Sequence, residues 1–418
     1  MRTVLLIAAC LVGLTAQAAP VEVATLDRSV WPEALVSPPL FDVASRAEIL
    51  GFAHQLLESE QLEERQLAAR LGLRQINLAS INVIRTRLWT RLFENYQFAQ
   101  KSCDQDASFC VLVDDLPMLR QRAGEFQVAD DSFYARWAAP AAAFNQRYLS
   151  ELLRMAALFP VTSSEIERYN SDELSGEEMP DRTFLLNFDS GPTVADGATD
   201  WLADFMRQQK INATFYVLGK SLQTRLDASS AAALQTLYKQ QCVGIQGWEY
   251  RSHAHWADWQ DSVTRSAALV QQTLPDNFVP LFRPPYGHRR ADSAGFFRDQ
   301  QLSVALWNID AQDSTGQLDA EQTSQRVLTL MLLWRKGTLV FHDANKIAQQ
   351  AVPWLMANTA QSGVIWEDCH IYPQQMSDES ETVTPDDTEQ EEPGEQAPED
   401  EPQAPSEQPD RPVDQGDG

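Results

Sequence analysis

Six polar side chains of the kinds that move protons or hold cations stand at or just beyond short apolar runs in the second half of the chain. They are Asp189, Glu249, His253, Arg283, Asp313 and His342. Carboxylates and imidazoles exchange protons near neutral pH and ligate divalent ions, and a guanidinium orients a carboxylate beside it. Glu249 and His253 are four residues apart, with His255 close behind. These types suit acid–base chemistry, with or without a bound cation.

The elements that must position them follow from the hydrophobic pattern. From about Asp181, strand-like runs alternate with amphipathic helices. The expected strands are Thr183–Asp189, Ala213–Gly219, Cys242–Trp248, Leu281–Tyr286, Ser303–Asp310, Thr338–Asp343 and Val364–Cys369. Stretches such as 197–210 and 321–334 carry the helical period between them. About seven strand–helix repeats predict a parallel α/β sheet, open or closed into a barrel. The six polar groups then fall on one rim, at the C-terminal ends of five strands, where active sites of such barrels form.

Ahead of this lies a different texture. From about Phe41 to Leu158 the chain reads as helical, with Ser45 to Glu48 as a capping box and Ile81, Ile84, Leu88, Leu92 and Tyr96 on one face. Nothing there has ligand or nucleophile spacing, and His54 reads as a core or boundary residue. The expected organisation is a helical accessory domain over 19–175, the barrel over 178–372, and flanking segments at both ends. The partner of the helical domain is unknown from sequence.

Several ordered motifs carry a family resemblance: Asn187-Phe188-Asp189-Ser190-Gly191-Pro192, Ala213-Thr214-Phe215-Tyr216-Val217-Leu218-Gly219, Ser252-His253, Arg283-Pro284-Pro285-Tyr286-Gly287, Trp307-Asn308-Ile309-Asp310 with Asp313, and Val340-Phe341-His342-Asp343. Residues 178–372 resemble the polysaccharide deacetylase family, the NodB-homology domain of carbohydrate esterase family four. The resemblance implies a distorted (β/α) barrel and metal-dependent removal of N-acetyl groups from amino sugars. It implies Asp189 as the base that activates water and Arg283 as the group that orients it. His342 is implied as the acid that protonates the departing amine, tuned by Asp313. Pro285, Tyr286 and Trp307 become substrate-binding candidates, Tyr286 and Trp307 as stacking faces for sugar rings.

The departures from the family pattern concern the metal. Its ligands are a second Asp and the two histidines of a His-x-x-x-His motif. Here the second Asp is Ser190, and with Gly247 and Ser252 setting the register the histidine positions fall on Glu249 and His253. The expected set is therefore an altered, weaker zinc-like site of Ser190, Glu249 and His253, with His255 as a further donor. Two other readings stay open: His253 and His255 as a surface pair beside Trp256 and Trp259, and Asp189 with Arg283 as a structural ion pair.

The ends set the compartment. Met1-Arg2-Thr3, the apolar run Val4 to Leu14 and Ala16-Gln17-Ala18 read as a secretory signal peptide over 1–18, cut near Ala18. A lipoprotein box at Cys10 ranks second. No later run reaches the roughly 18 apolar residues that span a bilayer. Cys103, Cys110, Cys242 and Cys369 form an even set suited to disulfides in an oxidising compartment, periplasmic or secreted. The formal net charge of -26 disfavours nucleic-acid and anionic-membrane partners. Much of it belongs to segment 376–418, which is rich in Pro, Glu, Asp and Gln and reads as a disordered acidic tail.

The function expected is an exported hydrolase of non-peptide C–N bonds that removes N-acetyl groups from an amino-sugar glycan. Two alternatives accompany it: a pseudoenzyme that binds glycan without turnover, and a metal-independent C–N hydrolase acting through Asp189, Arg283 and His342.

Overall fold

The computed structural model describes residues 22–372. The expected signal peptide, with Ala18 and Cys10, and the acidic tail lie outside the described residues. Five helices come first: α1 (Pro38–Glu60), α2 (Glu64–Arg70), α3 (Leu78–Ala99), α4 (Leu116–Glu125) and α5 (Ala135–Leu158). Then follow β1 (Thr183–Gly191), α6 (Ala198–Gln209), β2 (Thr214–Val217), α7 (Gly219–Asp227), α8 (Ala231–Leu237), β3 (Cys242–Ile245) and α9 (Trp259–Thr273). The chain continues through β4 (Phe278–Phe282), α10 (Ala294–Asp299), β5 (Ser303–Val304), β6 (Ile309–Asp310), α11 (Ala320–Trp334), β7 (Gly337–His342), α12 (Lys346–Thr359) and β8 (Ile365–Trp366). Among the described residues no helix is long and apolar enough to cross a membrane.

All strand pairs are parallel, in the order β5-β4-β3-β2-β1-β7-β6, with β8 beside the start of β1. This is a distorted (β/α) barrel that stays open between β5 and β6. Leu174 stitches the β5 side, donating to Val304 O at 2.9 Å and accepting from Leu306 N at 2.7 Å. The run Ser303–Asp310 is therefore two short strands rather than one. Asn308 sits between them and spends its amide on the start of β7, donating to Lys336 O and accepting from Thr338 N, both at 3.0 Å. Gly337 leaves room for it, since a Cβ there would lie 2.0 Å from Asn308 Oδ1.

The central helix α1 begins earlier than the sequence pattern suggests. Ser37 caps it, accepting from Leu40 N, and Pro38 and Pro39 start it. Ser45 is no cap: it lies in mid-helix, fully buried, with its hydroxyl donated to Leu332 O on α11 at 2.7 Å. The Ser-x-x-Glu pattern misleads because α1 is buried nearly all round, so its polar residues serve tertiary contacts. Glu48 meets Arg28 and accepts from Trp137 Nε1 at 3.0 Å.

Helices α1, α3 and α5 pack over α11, whose residues from Thr323 to Trp334 are all buried. Buried polar pairs fix the seam: Arg326 with Glu151 at 2.7 Å, Arg335 with Asp42 at 2.8 Å, and Trp334 Nε1 with Tyr148 Oη at 2.9 Å. Apolar residues of the helical layer and of the barrel share one continuous core, and a second, smaller cluster of the barrel holds Leu185, Tyr216, Leu281 and the Cys242–Cys369 bridge. Disulfides join Cys103 to Cys110 and Cys242 to Cys369, the second tying the start of β3 to the segment after β8.

Candidate active site

Strand β1 delivers Asp189 to the rim, flanked in register by Tyr216 on β2 and His342 on β7. Asp189 is buried. One carboxylate oxygen lies 3.5 Å from Arg283 Nη1, and the other accepts from Gln246 Nε2 at 3.0 Å. Arg283 is held in turn by donating Nε to Ala305 O at 2.6 Å, with its guanidinium 4.2 Å from the Tyr216 ring centroid and 5.0 Å from that of Trp307. Burial pushes the Asp189 carboxyl up from its ordinary value, and the charges of Arg283 and His342 offset part of that. A carboxylate made more basic in this way is suited to taking a proton.

His342 is gripped from behind by Asp313. Its Nδ1 lies 2.8 Å from Asp313 Oδ1, and its backbone N–H donates to Asp313 Oδ2 at 2.9 Å. Burial pulls the imidazole down, but the hydrogen bond and charge of Asp313, with Asp189 and Asp310 behind, overcome it and push the ring up to about 9. The ring is then an imidazolium at neutral pH. Nδ1–H is engaged by Asp313, which leaves Nε2–H as the proton it can give.

Behind this pair, Asp343 donates its backbone N–H to Asp189 O at 3.2 Å and accepts from Thr199 Oγ1 at 2.9 Å. Burial, helped by the nearby Asp189 charge, pushes its carboxyl up to about 7. Gly191 is required beside it, because a Cβ there would lie 1.9 Å from Asp343 Oδ2.

The expected metal set is not brought together. Glu249 turns to solvent and pairs with Lys220 at 3.1 Å. His253 is buried with both ring nitrogens engaged, Nδ1 at 2.9 Å from Arg251 O and Nε2 at 3.1 Å from Ser262 Oγ. Burial holds it neutral, pushed down to about 4. His255 is exposed. Ser190 does lie at the rim, in a left-handed conformation with φ 78°, and donates Oγ to Gln246 Oε1 at 3.0 Å.

The pair spaced by four that faces Asp189 is instead Gln246 and Tyr250. Gln246 follows directly on β3 and bridges Ser190 to Asp189. Tyr250 stands 4.6 Å, ring to ring, from Tyr286. Tyr250 is 38% exposed at the rim, yet desolvation of its phenol, with Asp189, Tyr286 and Asp310 adding to the rise, pushes it well up. Sequence reasoning missed both because an amide and a phenol are not sought as ligand positions. Their signal was placement: Gln246 is the first residue past the strand, and its amide reaches Asp189.

Of the other rim candidates, Pro285 is buried, Tyr286 is half exposed, and Trp307 is packed with Nε1 donated to Asp310 Oδ2 at 3.1 Å. Tyr286 is thus the one offering an open ring face. His288 is turned to Ser252 Oγ at 3.2 Å and His370 to Asp368 at 2.7 Å.

A zinc-like ion placed here would meet a serine hydroxyl, a glutamine amide and a protonated phenol beside one carboxylate, with no imidazole. Firm zinc sites use Cys, His and carboxylate ligands. The hydroxyl and the amide are also already engaged with each other and with Asp189. These residues do not fit the ion. Among the described residues, one group of His, Cys, Asp or Glu has converging ligand atoms: Cys242, Cys369 and His370. There the two sulfurs are bonded to each other, so neither is a thiolate.

Comparison with known proteins bears on the barrel. The family model for polysaccharide deacetylase matches residues 176–304. Peptidoglycan-N-acetylglucosamine deacetylase PgdA of Listeria monocytogenes serotype 1/2a, in strains 10403S and EGD / Mackaness, is 24% identical over 163 residues. That alignment covers 37% of this chain and 33% of the relative, so the chain spans about a third of the length of the curated relatives it matches. Among solved structures, the Bc1960 peptidoglycan N-acetylglucosamine deacetylase aligns with a TM-score of 0.41 and 16% identity, over 47% of this chain and 89% of that one. The peptidoglycan deacetylase PdaC from Bacillus subtilis aligns at 0.39 and 21%, over 48% and 94%. BA3943 from Bacillus anthracis, a CE4 family pseudoenzyme, aligns at 0.40 and 16%, over 46% and 66%. Residues 176–304 of the barrel thus match the polysaccharide deacetylase family model, and the ordered rim motifs resemble that family.

Proposed function

We propose that the protein is an exported hydrolase that removes N-acetyl groups from an amino-sugar glycan, with peptidoglycan-type N-acetylglucosamine as the substrate class. The observation that carries this is the rim pair Asp189 and His342. They are adjacent in register, one held by Arg283 and the other by Asp313. Asp189 takes a proton from water while the water oxygen bonds to the acetyl carbonyl carbon. His342 Nε2–H gives a proton to the amide nitrogen as the C–N bond breaks, leaving acetate and a free amine. The Tyr250 hydroxyl, kept protonated, is a donor for the oxyanion, and the Tyr286 ring offers a face to a sugar. The name of the curated relatives supports the substrate class, and the two disulfides suit an oxidising compartment.

The test is acetate release from N-acetylglucosamine oligomers and from peptidoglycan. Asp189→Asn and His342→Ala are each expected to lower kcat/KM by at least about 100-fold, the scale of general acid–base catalysis. A wild-type protein that releases no acetate overturns the reading. One observation favours a second reading, a glycan-binding protein without turnover: Gln246 already occupies Asp189 and Ser190. Oligomer binding by calorimetry without acetate release would establish it.

A further inference from the structure

Among the buried groups at the rim, the least expected is a neutral amide. Gln246 is 1% exposed, and both polar atoms of its side chain are spent within the site. Nε2 donates to Asp189 Oδ2 and Oε1 accepts from Ser190 Oγ, each at 3.0 Å. A cation between Asp189 and Ser190 would have to expel that amide and break both bonds. Tyr250, four residues on, keeps the spacing the family uses for its two ligand histidines, but it brings a phenol. The three positions that face Asp189 are thus Ser190, Gln246 and Tyr250.

We infer that in this barrel the Gln246 side chain stands in the place of the divalent ion, so that Asp189 is held by an amide and a guanidinium and the rim binds no metal. The inference rests on reading the rim as a deacetylase-type centre, and it assigns the replaced ligand set to Ser190, Gln246 and Tyr250 rather than to Glu249 and His253. The exchange is chemically coherent. Asp189 loses a cation but gains a donor, the hydroxyl of Ser190 satisfies the amide oxygen, and the phenol needs no metal to remain neutral. Arg283 supplies a positive charge at 3.5 Å.

The experiment uses the full chain purified without added metal. Elemental analysis and cobalt titration are expected to give far less than one ion per chain at the rim. A stoichiometric ion that is lost on Asp189→Ala overturns the inference. The combined variant Ser190→Asp, Gln246→His, Tyr250→His is expected to gain one cobalt ion per chain, with the visible absorption bands of nitrogen ligation. Should that variant misfold by circular dichroism, Ser190→Asp with Gln246→His is the second test and carries the same expectation. A folded variant that takes up no ion overturns the assignment of these positions. Metal content is read without acetate release. A metal-free wild type that also lacks activity therefore refutes the proposed hydrolase and leaves this inference standing.

Discussion

Asp313 holds His342 through both of its oxygens, one 2.8 Å from Nδ1 and the other accepting the backbone N–H of the same residue at 2.9 Å. The grip fixes the ring and its charge together. A histidine pushed up to about 9 binds its proton more tightly in the folded chain than in the unfolded one. Its contribution to stability is complete below the unfolded value of about 6.5 and is lost as pH rises through about 9.

Asp313→Asn is therefore expected to lower the His342 titration midpoint, followed by NMR of the imidazole protons, from about 9 toward the ordinary histidine range. If the hydrolase reading holds, the alkaline limb of kcat/KM shifts down with it. An unchanged midpoint would show that Asp313 does not set the charge.

Gly191→Ala should destabilise the fold by about 1–3 kcal/mol, the usual cost of overpacking. The new methyl would meet the buried Asp343 carboxyl at 1.9 Å, and that carboxyl is fixed by Thr199. Urea unfolding reads the effect. A midpoint equal to wild type would mean that Asp343 moves freely.

The two disulfides close loops of very different length, with separations of 127 and 7 residues. On the chain-entropy view, opening Cys242–Cys369 removes up to about 5 kcal/mol and opening Cys103–Cys110 about 2.5 kcal/mol. The Cys242→Ser, Cys369→Ser variant is expected to show the larger fall in Tm by calorimetry. The reverse order would refute the loop-length argument for this chain.

Arg326 and Glu151 meet across the seam between α11 and α5, both buried. Glu151→Leu alone leaves a buried guanidinium without its counter-charge and should cost about 3–5 kcal/mol. Adding Arg326→Leu should recover a large part of that loss. Denaturant unfolding of both variants gives the coupling, and additive losses would show that the pair does not act as a unit.

Much of the architecture was readable because strands buried on both faces leave continuous apolar runs, and Asp189, Arg283 and His342 each follow such a run. The convergence of these three with Asp313 follows from the parallel order alone. The ligand positions were not readable, for a specific reason. A spacing of four occurs twice within eight residues, at Gln246–Tyr250 and at Glu249–His253, and the search for ionisable types selects the second. Only the end of β3 at Ile245 shows that Gln246 is the residue whose side chain reaches Asp189. The Ser45 cap failed similarly, because a local pattern cannot reveal that its helix is enclosed.

The enclosure of α11 decides how this barrel can be handled. Cutting the chain near residue 175 to express the barrel alone would strip cover from Leu328, Met331, Leu332 and Trp334 and leave Arg326 and Arg335 facing water without Glu151 and Asp42. Such a fragment would carry a broad sticky flank and precipitate or recruit chaperones. The helices ahead of the barrel thus act as an intramolecular coat, and expression trials that trim to the family boundary are trials of an uncoated protein.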